Sequence, residues 1–335
     1  MSAELAATAI RDFQDTFGAV RREIARAVVG HEDVIDVILT GLFAGGHVLI
    51  EGVPGTGKTL IVRSLADALA LRFSRVQFTV DLMPADITGT RVVNETPEGR
   101  RAFEFVPGPI FTQLLLADEI NRATPKTQSA LLEAMAEEQV TVAGTTHGLP
   151  APFFVLATLN PIEMEGTYQL PEAQLDRFLF KVRLDYPSQA ELERILGMTT
   201  GAEPTTVRPV LDPATAPARV EELKRLVRTV LVAPHVERYV AGLVRLTLPT
   251  ENADPEVRRW VAYGASPRGG QALLLGAKVH ALLDSRPHVA IEDVDRVVQA
   301  ALQHRLVLSF AAETEGVEPA AVVDRVLSAG ARLRR

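Results

Sequence analysis

The segment from Gly52 to Thr59, Gly-Val-Pro-Gly-Thr-Gly-Lys-Thr, carries the clearest chemistry in the chain. It matches the phosphate-loop pattern G-x-x-x-x-G-K-[ST] in full and lies between an apolar strand-like run and a helical one. Glycines let backbone N–H groups turn towards phosphate oxygens, and the amino end of the following helix adds a positive dipole. Lys58 is expected to reach the β- and γ-phosphates of a nucleotide, and the Thr59 hydroxyl to bind Mg²⁺. The predicted nucleotide contacts in this segment are Gly52, Pro54, Gly55, Thr56, Gly57, Lys58, Thr59 and Leu60.

Two carboxylates, Asp118 and Glu119, follow the apolar run LLLA. A buried strand that ends in two carboxylates is costly unless they meet a cation or face water. Asp118 is expected to hold Mg²⁺ through the water shell of the ion, and Glu119 to polarise an attacking water molecule. A solvated strand end is the alternative interpretation. Glu119 favours hydrolysis of the nucleotide over mere retention.

A third polar residue, Asn160, follows the apolar run FFVLATL and precedes a proline. Its amide could position the same water molecule or contact the γ-phosphate. Taken alone, an asparagine before a proline is usually only a turn. Its significance comes from its position after another strand of the same predicted sheet.

Residues 47–186 alternate strand-like runs with segments of helical periodicity, which predicts a parallel sheet flanked by helices. The runs are HVLI, VQFTV, LLLAD, FFVLATL and FKVRL. Two insertions, TRVVNETPEGRRAFEFVPG and VTVAGTTHGLPAPFF, have the form of hairpins, and either edge hairpins or projecting loops would explain them. Near the amino terminus, one helical face carries four apolar residues, which predicts a docked amphipathic helix. These residues are Phe13, Phe17, Val20 and Ile24.

The pattern changes after Tyr186, where Ser188 and Glu191 form the capping-box signature of a new helix. A proline-rich stretch over residues 204–217 is typical of a loop. Four helical segments follow, namely VEELKRLVRTVLV, VERYVAGLVRLT, GGQALLLGAKVHALLDS and IEDVDRVVQAALQHRLVL. A chain of 335 residues is expected to form roughly two domains. The predicted fold is an α/β nucleotide-binding core over residues 1–186, followed by a smaller all-helical domain over residues 187–335.

Composition narrows the classes of function. The formal net charge of −7 disfavours non-specific binding to nucleic acid, although a local basic stripe could override it. The sequence has no cysteine, which excludes a disulfide framework and a thiolate metal site and fits a reducing cytoplasm. No apolar run approaches the ~18 residues that span a membrane. A cytoplasmic protein is therefore expected, with no nucleic-acid partner and no direct membrane insertion.

The order of these motifs resembles the AAA+ ATPases, and specifically the MoxR family. The phosphate loop alone is common to many ATPases, but LADEINRA, TLNP, EGTYQLPEAQLDRF and GASPRG together form a much narrower signature. The resemblance covers nearly the whole chain. It implies a P-loop αβα core with a helical lid, ATP and Mg²⁺ as ligands, and a nucleotide site between the subunits of a ring, usually a hexamer.

The resemblance also implies roles for individual residues. Asn160 would be the first sensor. Arg177 would be the arginine finger that reaches into the neighbouring subunit's site, and Arg268 the second sensor, which contacts the nucleotide from the lid. Val29 and Gly30 fall where the family packs against adenine.

The residues themselves leave other interpretations of the arginines open. Arg177 could form a local ion pair with Asp176 at a sheet edge. Arg122, which follows the DEIN segment, is a rival for the arginine finger. Arg268 could be an arginine at the start of a helix that bonds nearby carboxylates.

By the same resemblance, ATP hydrolysis is expected to drive chaperone-like remodelling or assembly of a client that the sequence does not identify. Typical partners in the family carry a von Willebrand factor A domain. One rival is another ring ATPase, such as a magnesium-chelatase-type subunit or a nucleic-acid motor. The predicted hairpin tips, NETPEG and GTTHGL, are poor in basic residues, which disfavours a motor. The other rival is a nucleotide-gated scaffold with little turnover, against which Glu119 argues.

Overall fold

The part of the chain before Pro187 alternates strands and helices, as predicted. The computed structural model describes residues 3–95, 101–161, 168–201, 206–251 and 253–334. In chain order, the elements of the first part are α1 (Ala3–Ala27), α2 (Glu32–Ala44), β1 (Val48–Gly52), α3 (Lys58–Leu69), β2 (Phe73–Gln77), α4 (Pro84–Thr88), β3 (Gly89–Glu95), β4 (Arg101–Pro107), β5 (Leu114–Asp118), α5 (Pro125–Glu137), β6 (Gln139–Val142), β7 (Thr145–Gly148), β8 (Phe154–Leu159), α6 (Glu172–Leu175) and β9 (Phe180–Leu184). A 3₁₀ turn, Ile120–Arg122, follows β5.

Five of these strands form one parallel sheet in the order β2–β5–β8–β1–β9, which confirms the predicted sheet. The strand β2 ends at Gln77, earlier than the predicted VQFTV run, because the chain then turns away and leaves Val80 61% exposed. Since all five strands point the same way, the residues that follow β1, β5 and β8 meet at one edge of the sheet. We call this the carboxyl edge, and the opposite one the amino edge.

The amino-terminal helix α1 docks against α2 and α3 through its predicted apolar face. Phe13, Phe17, Val20 and Ile24 are all buried. Phe13 packs edge-on against Phe43 of α2, with 5.3 Å between the ring centroids. Burial of each of these side chains contributes about 1.5–3 kcal/mol. The predicted docking of this helix is therefore confirmed.

Two antiparallel hairpins, β3–β4 and β6–β7, form separate two-stranded sheets and do not extend the parallel sheet. Both were predicted from the two insertions. The second hairpin turns at Ala143 and Gly144, which both have positive φ and so match a tight two-residue turn. As a result, β7 lies in the segment that the sequence placed within the turn. Residues 96–100 of the first predicted tip lie outside the described residues.

The two hairpins contact each other through aromatic rings. Phe105 of β4 stacks on His147 of β7, with 3.9 Å between the ring centroids and 16° between the planes. Phe103 lies further out on β4, under the Arg91 guanidinium, and is 67% exposed. Phe105 is therefore half-buried between the hairpins, whereas Phe103 is exposed.

The carboxyl-terminal part is mainly helical. Its elements are α7 (Gln189–Thr199), α8 (Ala216–Thr229), α9 (Pro234–Leu246), α10 (Pro255–Trp260), β10 (Val261–Tyr263), α11 (Pro267–Leu283), α12 (Ile291–Asp295), α13 (Val298–Leu302), β11 (Val307–Leu308), α14 (Phe310–Glu315) and α15 (Pro319–Gly330). 3₁₀ turns occupy Gln303–Arg305 and Ala331–Arg334. Antiparallel pairing of β10 with β11 adds a small sheet that the all-helical prediction missed.

The predicted single helix over residues 291–308 is broken into α12, α13, a 3₁₀ turn and β11. All five apolar residues on its predicted face are nevertheless buried, because the break keeps them inside. They are Val294, Val297, Val298, Ala301 and Leu302. The apolar periodicity correctly predicted which residues are buried. It could not predict the break in the helix, because the break leaves the same residues buried.

Local signals at the start of this part are confirmed. Ser188 caps α7, with its backbone N–H donating to Glu191 Oε2 at 2.7 Å. Pro217, which the sequence placed in a loop, lies in the first turn of α8, where a missing N–H costs no hydrogen bond. Among the described residues, no helix is long and apolar enough to cross a membrane.

Candidate nucleotide site

The phosphate loop connects β1 to α3 and leaves an open cradle above its glycines. Gly55 and Gly57 both have a φ of 84°, a left-handed conformation that favours glycine. A Cβ built on either would meet no atom within 4 Å. Gly52 is constrained differently, because its Cβ would lie 2.9 Å from the Cβ of Leu184. The loop therefore has the shape and the free space that a phosphate chain requires.

Lys58 begins α3 and turns back over the loop. Its Nζ donates to the carbonyl oxygens of Gly52 at 2.5 Å and Val53 at 3.1 Å. Burial lowers the pKa of Lys58, while the negative charges of Asp118 and Glu119 act in the opposite direction. A buried ammonium group therefore faces the two carboxylates across the loop. Backbone N–H groups in the first turn of α3 add a site that favours anions.

The acidic pair lies at the end of β5, next to the phosphate loop, and Thr158 of β8 fixes its geometry. The Thr158 hydroxyl donates to Asp118 Oδ1 at 2.6 Å and accepts from the Glu119 backbone N–H at 2.8 Å. Glu119 has φ 58° and ψ 52°, a left-handed conformation that costs of order 1–3 kcal/mol for a residue with a side chain. Such strain clusters at functional sites. Here it accompanies a carboxylate at the carboxyl edge.

Three side chains surround the acidic pair. Arg75 Nη2 donates to Asp118 Oδ2 at 2.6 Å, and Gln77 Nε2 donates to Glu119 Oε2 at 2.8 Å. Arg122 Nε lies 2.9 Å from the same Glu119 oxygen. Arg122, the rival for the arginine finger, is thus paired with a carboxylate of its own chain.

Asn160 is buried at the end of β8, the strand between β5 and β1. Its backbone carbonyl accepts a hydrogen bond from Asn121 Nδ2 at 3.4 Å. The sheet order thus places Asn160 between the phosphate loop and the acidic pair.

A cavity of about 420 Å³ adjoins the phosphate loop, which is a usual size for a small-molecule site. Val29 and Leu60, both predicted contacts, line it. Gly30 lies beside it with φ 73°, where a Cβ would clash with Glu191 of α7. The helix α7 forms the opposite wall with Ile195, Met198 and Thr199, and Gly201 just beyond the helix also lines the cavity. The sequence did not single out these residues.

The structure does not bring Arg177 and Arg268 to this edge. Both line a second cleft, of about 300 Å³, together with His47 at the amino end of β1. A five-residue strand such as β1 spans about 16 Å, further than an arginine side chain extends. Arg268 therefore lies about one strand length from the phosphate loop of its own chain. The two arginines lie together at the amino edge.

Asp176 organises this second cleft. Its carboxylate lies 2.9 Å from Arg305 Nε and 3.8 Å from Arg268 Nη1, and it accepts from the Ser266 hydroxyl at 2.9 Å. The Arg177 guanidinium donates to the carbonyl oxygen of Leu132 at 2.6 Å. Asp176, the alternative partner of Arg177, is thus engaged with other groups, and Arg268 at the start of α11 forms an ion pair with it.

Sequence reasoning missed the residues that hold the acidic pair. Arg75 and Gln77 are two residues apart on β2, so the period of two places both side chains on the same face of the sheet, where β5 is the neighbouring strand. Thr158 is a fully buried hydroxyl within an apolar strand, a type of residue that requires a partner. These signals were present in the sequence, but the sheet order that gives them meaning was not.

Comparison with known proteins agrees with this geometry. Residues 47–180 match the model of the ATPase family associated with various cellular activities (AAA), and residues 256–326 match the AAA lid domain. The first match ends at the start of β9, and the second covers α11 to α14 and most of α15.

Whole-chain relatives are more specific. The chain is 42% identical to Chaperone MoxR1 of Mycobacterium tuberculosis, over 91% of this chain and 79% of that protein. It is 33% identical to Protein MoxR of Methylorubrum extorquens, over 89% of this chain and 90% of that protein. The crystal structure of a proposed ATPase from Cytophaga hutchinsonii superposes with a TM-score of 0.88 at 37% identity, over 97% of each chain. The chain therefore belongs to the MoxR family of AAA+ ATPases.

Proposed function

We propose that the protein binds ATP with Mg²⁺ at the carboxyl edge of its sheet and hydrolyses it to ADP and phosphate. The observation that carries this proposal is the convergence of the open phosphate loop and the Asp118–Glu119 pair at that edge. The adjoining cavity, with Val29 and Leu60 in its walls, supports an adenine ring beside the loop.

Several residues would bind the phosphates and the metal ion. Lys58 would exchange its bonds to loop carbonyls for phosphate oxygens, with the N–H groups of Gly55 and Gly57 around them. Thr59 and Asp118 would hold Mg²⁺, Asp118 through water. When bound, the ion neutralises charge that develops on the transferring phosphoryl group.

Glu119 and Asn160 would act on the attacking water molecule. Glu119 would accept a proton from it, which is worth about 10²–10⁴-fold in rate for a well-placed base. Asn160, at the end of the next strand, would orient the water and the γ-phosphate. Thr158 supports these roles, because it lies two residues before Asn160 and bonds both Asp118 and Glu119.

A neighbouring copy would supply the arginines. Since Arg177 and Arg268 line the amino edge, they would serve a nucleotide bound at the carboxyl edge of the next subunit. Such a head-to-tail contact closes into a ring when its rotation permits, and the family resemblance suggests a hexamer. An arginine finger adds about 10³–10⁵ to the rate of related phosphoryl transfers by neutralising charge.

The process that ATP hydrolysis would drive is proposed from the family resemblance. One relative is named a chaperone, which supports chaperone-like remodelling or assembly of a client by this protein. A partner with a von Willebrand factor A domain is proposed on the family resemblance alone. No client is named by the residues at the site.

The proposal is tested by measuring ATP turnover per subunit over a wide range of protein concentration. Turnover should rise as copies associate, and Arg177→Ala should abolish the rise. Arg238→Ala, at an exposed position on α9, is the matched control and should behave like the wild type. A rate that is independent both of concentration and of Arg177 would contradict a site shared between copies.

Mixing experiments identify which subunit supplies the arginine. Glu119→Gln should bind ATP without hydrolysing it, and Arg177→Ala should lack the finger. Mixed rings should regain turnover, because a Glu119→Gln subunit can donate Arg177 to its neighbour's intact site. The double variant of Glu119 and Arg177 is the negative control, since it can donate nothing.

A further inference from the structure

The 3₁₀ turn Gln303–Arg305 belongs to the lid, yet its side chains bind the backbone around Arg177. Gln303 Nε2 donates to the carbonyl oxygen of Lys181 at 2.8 Å. A ring nitrogen of His304, Nε2, lies 3.0 Å from the carbonyl oxygen of Phe178. Consecutive residues of the lid therefore contact the core segment that carries Arg177 and leads into β9.

Arg305 makes the most extensive of these contacts. Its guanidinium donates to the carbonyl oxygens of Phe178 at 2.7 Å and Leu179 at 3.0 Å, and more distantly to that of Asp176 at 3.4 Å. It also donates to Asp176 Oδ1 at 2.9 Å. These acceptors lie on both sides of Arg177. One planar group therefore fixes the backbone from which the Arg177 side chain projects.

The burial of Arg305 argues for a positional role. Its side chain is only 2% exposed, so water cannot replace any bond that is lost. A buried ion pair is often no more stabilising than well-packed apolar residues, because both charges must be desolvated. What apolar residues cannot do is define the direction of several carbonyl groups at once. Arg305 does this through the fixed fork of its N–H donors.

Asp176 links the same network to Arg268. Its Oδ2 accepts from the hydroxyl of Ser266, the residue that caps α11, and lies 3.8 Å from Arg268 Nη1. One carboxylate thus connects Arg305, the start of α11 and the segment of Arg177. The partly buried Asp176 and the buried Arg305 thus connect the segments that carry the two exposed arginines.

We infer that Arg305 is a positioning residue for ATP hydrolysis in the neighbouring copy, through its hold on the segment that carries Arg177. The inference rests on the proposed function of Arg177. Since the turn with Arg305 is part of the lid, a shift of the lid would move the Arg177 segment with it. The lid position in one subunit would in this way control the arginine presented to the next subunit's nucleotide.

The test uses mixed rings in which Arg305→Lys is placed on one side of the shared site at a time. Lysine keeps the charge but loses the planar fork. As a donor, the variant Glu119→Gln with Arg305→Lys should restore turnover to Arg177→Ala subunits about tenfold to a hundredfold less well than Glu119→Gln alone. As an acceptor, the variant Arg177→Ala with Arg305→Lys should regain full turnover from Glu119→Gln donors. A merely structural role would lower both.

Arg286→Lys in the donor is the matched control. Arg286 also pairs with a fully buried carboxylate in the lid, Asp293, with 2.6 Å between Nη2 and Oδ1. It should leave donation unchanged. If Arg305→Lys does not fold into rings, Asp176→Asn perturbs the same network from the core side and should give the same loss confined to donors.

The outcomes separate the two proposals. Full donation by the Arg305→Lys donor, or equal losses as donor and acceptor, would overturn the positioning role and leave the shared site standing. Failure of Glu119→Gln to restore any turnover to Arg177→Ala would overturn the shared site, and the positioning role with it.

Discussion

Gln77 Nε2 donates a hydrogen bond of 2.8 Å to Glu119 Oε2, the same oxygen that lies 2.9 Å from Arg122 Nε. Glu119, the proposed base, is therefore held by Gln77 of the neighbouring strand β2 and by Arg122 of the 3₁₀ turn that follows Glu119. Hydrogen bonds to a charged group contribute about 1.5–3 kcal/mol each, and part of that energy orients the carboxylate. Glu119 also has a strained backbone, so side-chain partners help to define where its oxygens lie.

Gln77→Ala is predicted to lower kcat by about threefold to tenfold, because about 1 kcal/mol of orientation is lost. Its Kd for ATP should change little, since Gln77 does not line the cavity beside the phosphate loop. The checks are steady-state turnover and equilibrium nucleotide binding. Gln299→Ala, whose amide bonds Asp324 within the lid, is the control and should affect neither quantity. A large change in Kd with an unchanged kcat would show that Gln77 acts on binding.

The phosphate loop could be predicted from the sequence, because consecutive residues determine its conformation. Gly55 and Gly57 are left-handed and Lys58 starts the helix, all within a few consecutive residues. Asp118 and Asn160 could be placed nearby because strands of a parallel sheet end at a common edge. Each of these predictions needed only the strands themselves.

The environment of the acidic pair could not be predicted, because it depends on which strands are neighbours. Thr158 and Arg75 bond Asp118 only because β8 and β2 flank β5. A single sequence does not give that order. Arg268 illustrates the same limit at larger scale, since its place at the amino edge is decided by how α11 packs and not by its motif.

The wall of the cavity formed by α7 gives a prediction about affinity. Ile195 lines the cavity from a helix with no fully buried residue, so its apolar surface is available to a ligand. Ile195→Asp should raise the KM and the Kd for ATP by at least about tenfold, since burying such a side chain contributes about 1.5–3 kcal/mol. The kcat at saturating ATP should stay within about twofold, because the contact exists before and during the reaction.

Leu192→Asp provides the comparison for Ile195. Leu192 lies on the same helix, is 45% exposed and does not line the cavity. It should leave the affinity for ATP nearly unchanged. Equal loss of affinity in both variants would indicate that the charge disturbs α7 as a whole and that Ile195 makes no specific contact.

His47 predicts a dependence of stability on pH. Its Nδ1 accepts from the backbone N–H of Val155 at 3.0 Å, and its Nε2 lies 3.1 Å from the carbonyl oxygen of Met135, which requires a neutral ring. Burial lowers the pKa of His47 to about 4, against a smaller opposing effect of the Met135 carbonyl. Burial and the charge of Arg305 lower the pKa of His304 as well. Both rings are therefore neutral in the folded protein at neutral pH.

The direction in which the free energy of unfolding changes with pH follows from proton binding. An unfolded histidine titrates near pH 6.5, so below that pH the unfolded chain binds a proton that folded His47 refuses until about pH 4. The free energy of unfolding should therefore fall as the pH is lowered between these values, by up to about 1.4 kcal/mol per pH unit for each such ring. Urea unfolding at about pH 7.5 and about pH 5.5 should show a loss of at least about 1 kcal/mol from His47.

His47→Gln should lower stability at the higher pH yet reduce this loss, whereas His288→Gln, at an exposed position, should leave it unchanged. An undiminished loss in His47→Gln would mean that other groups carry the pH dependence.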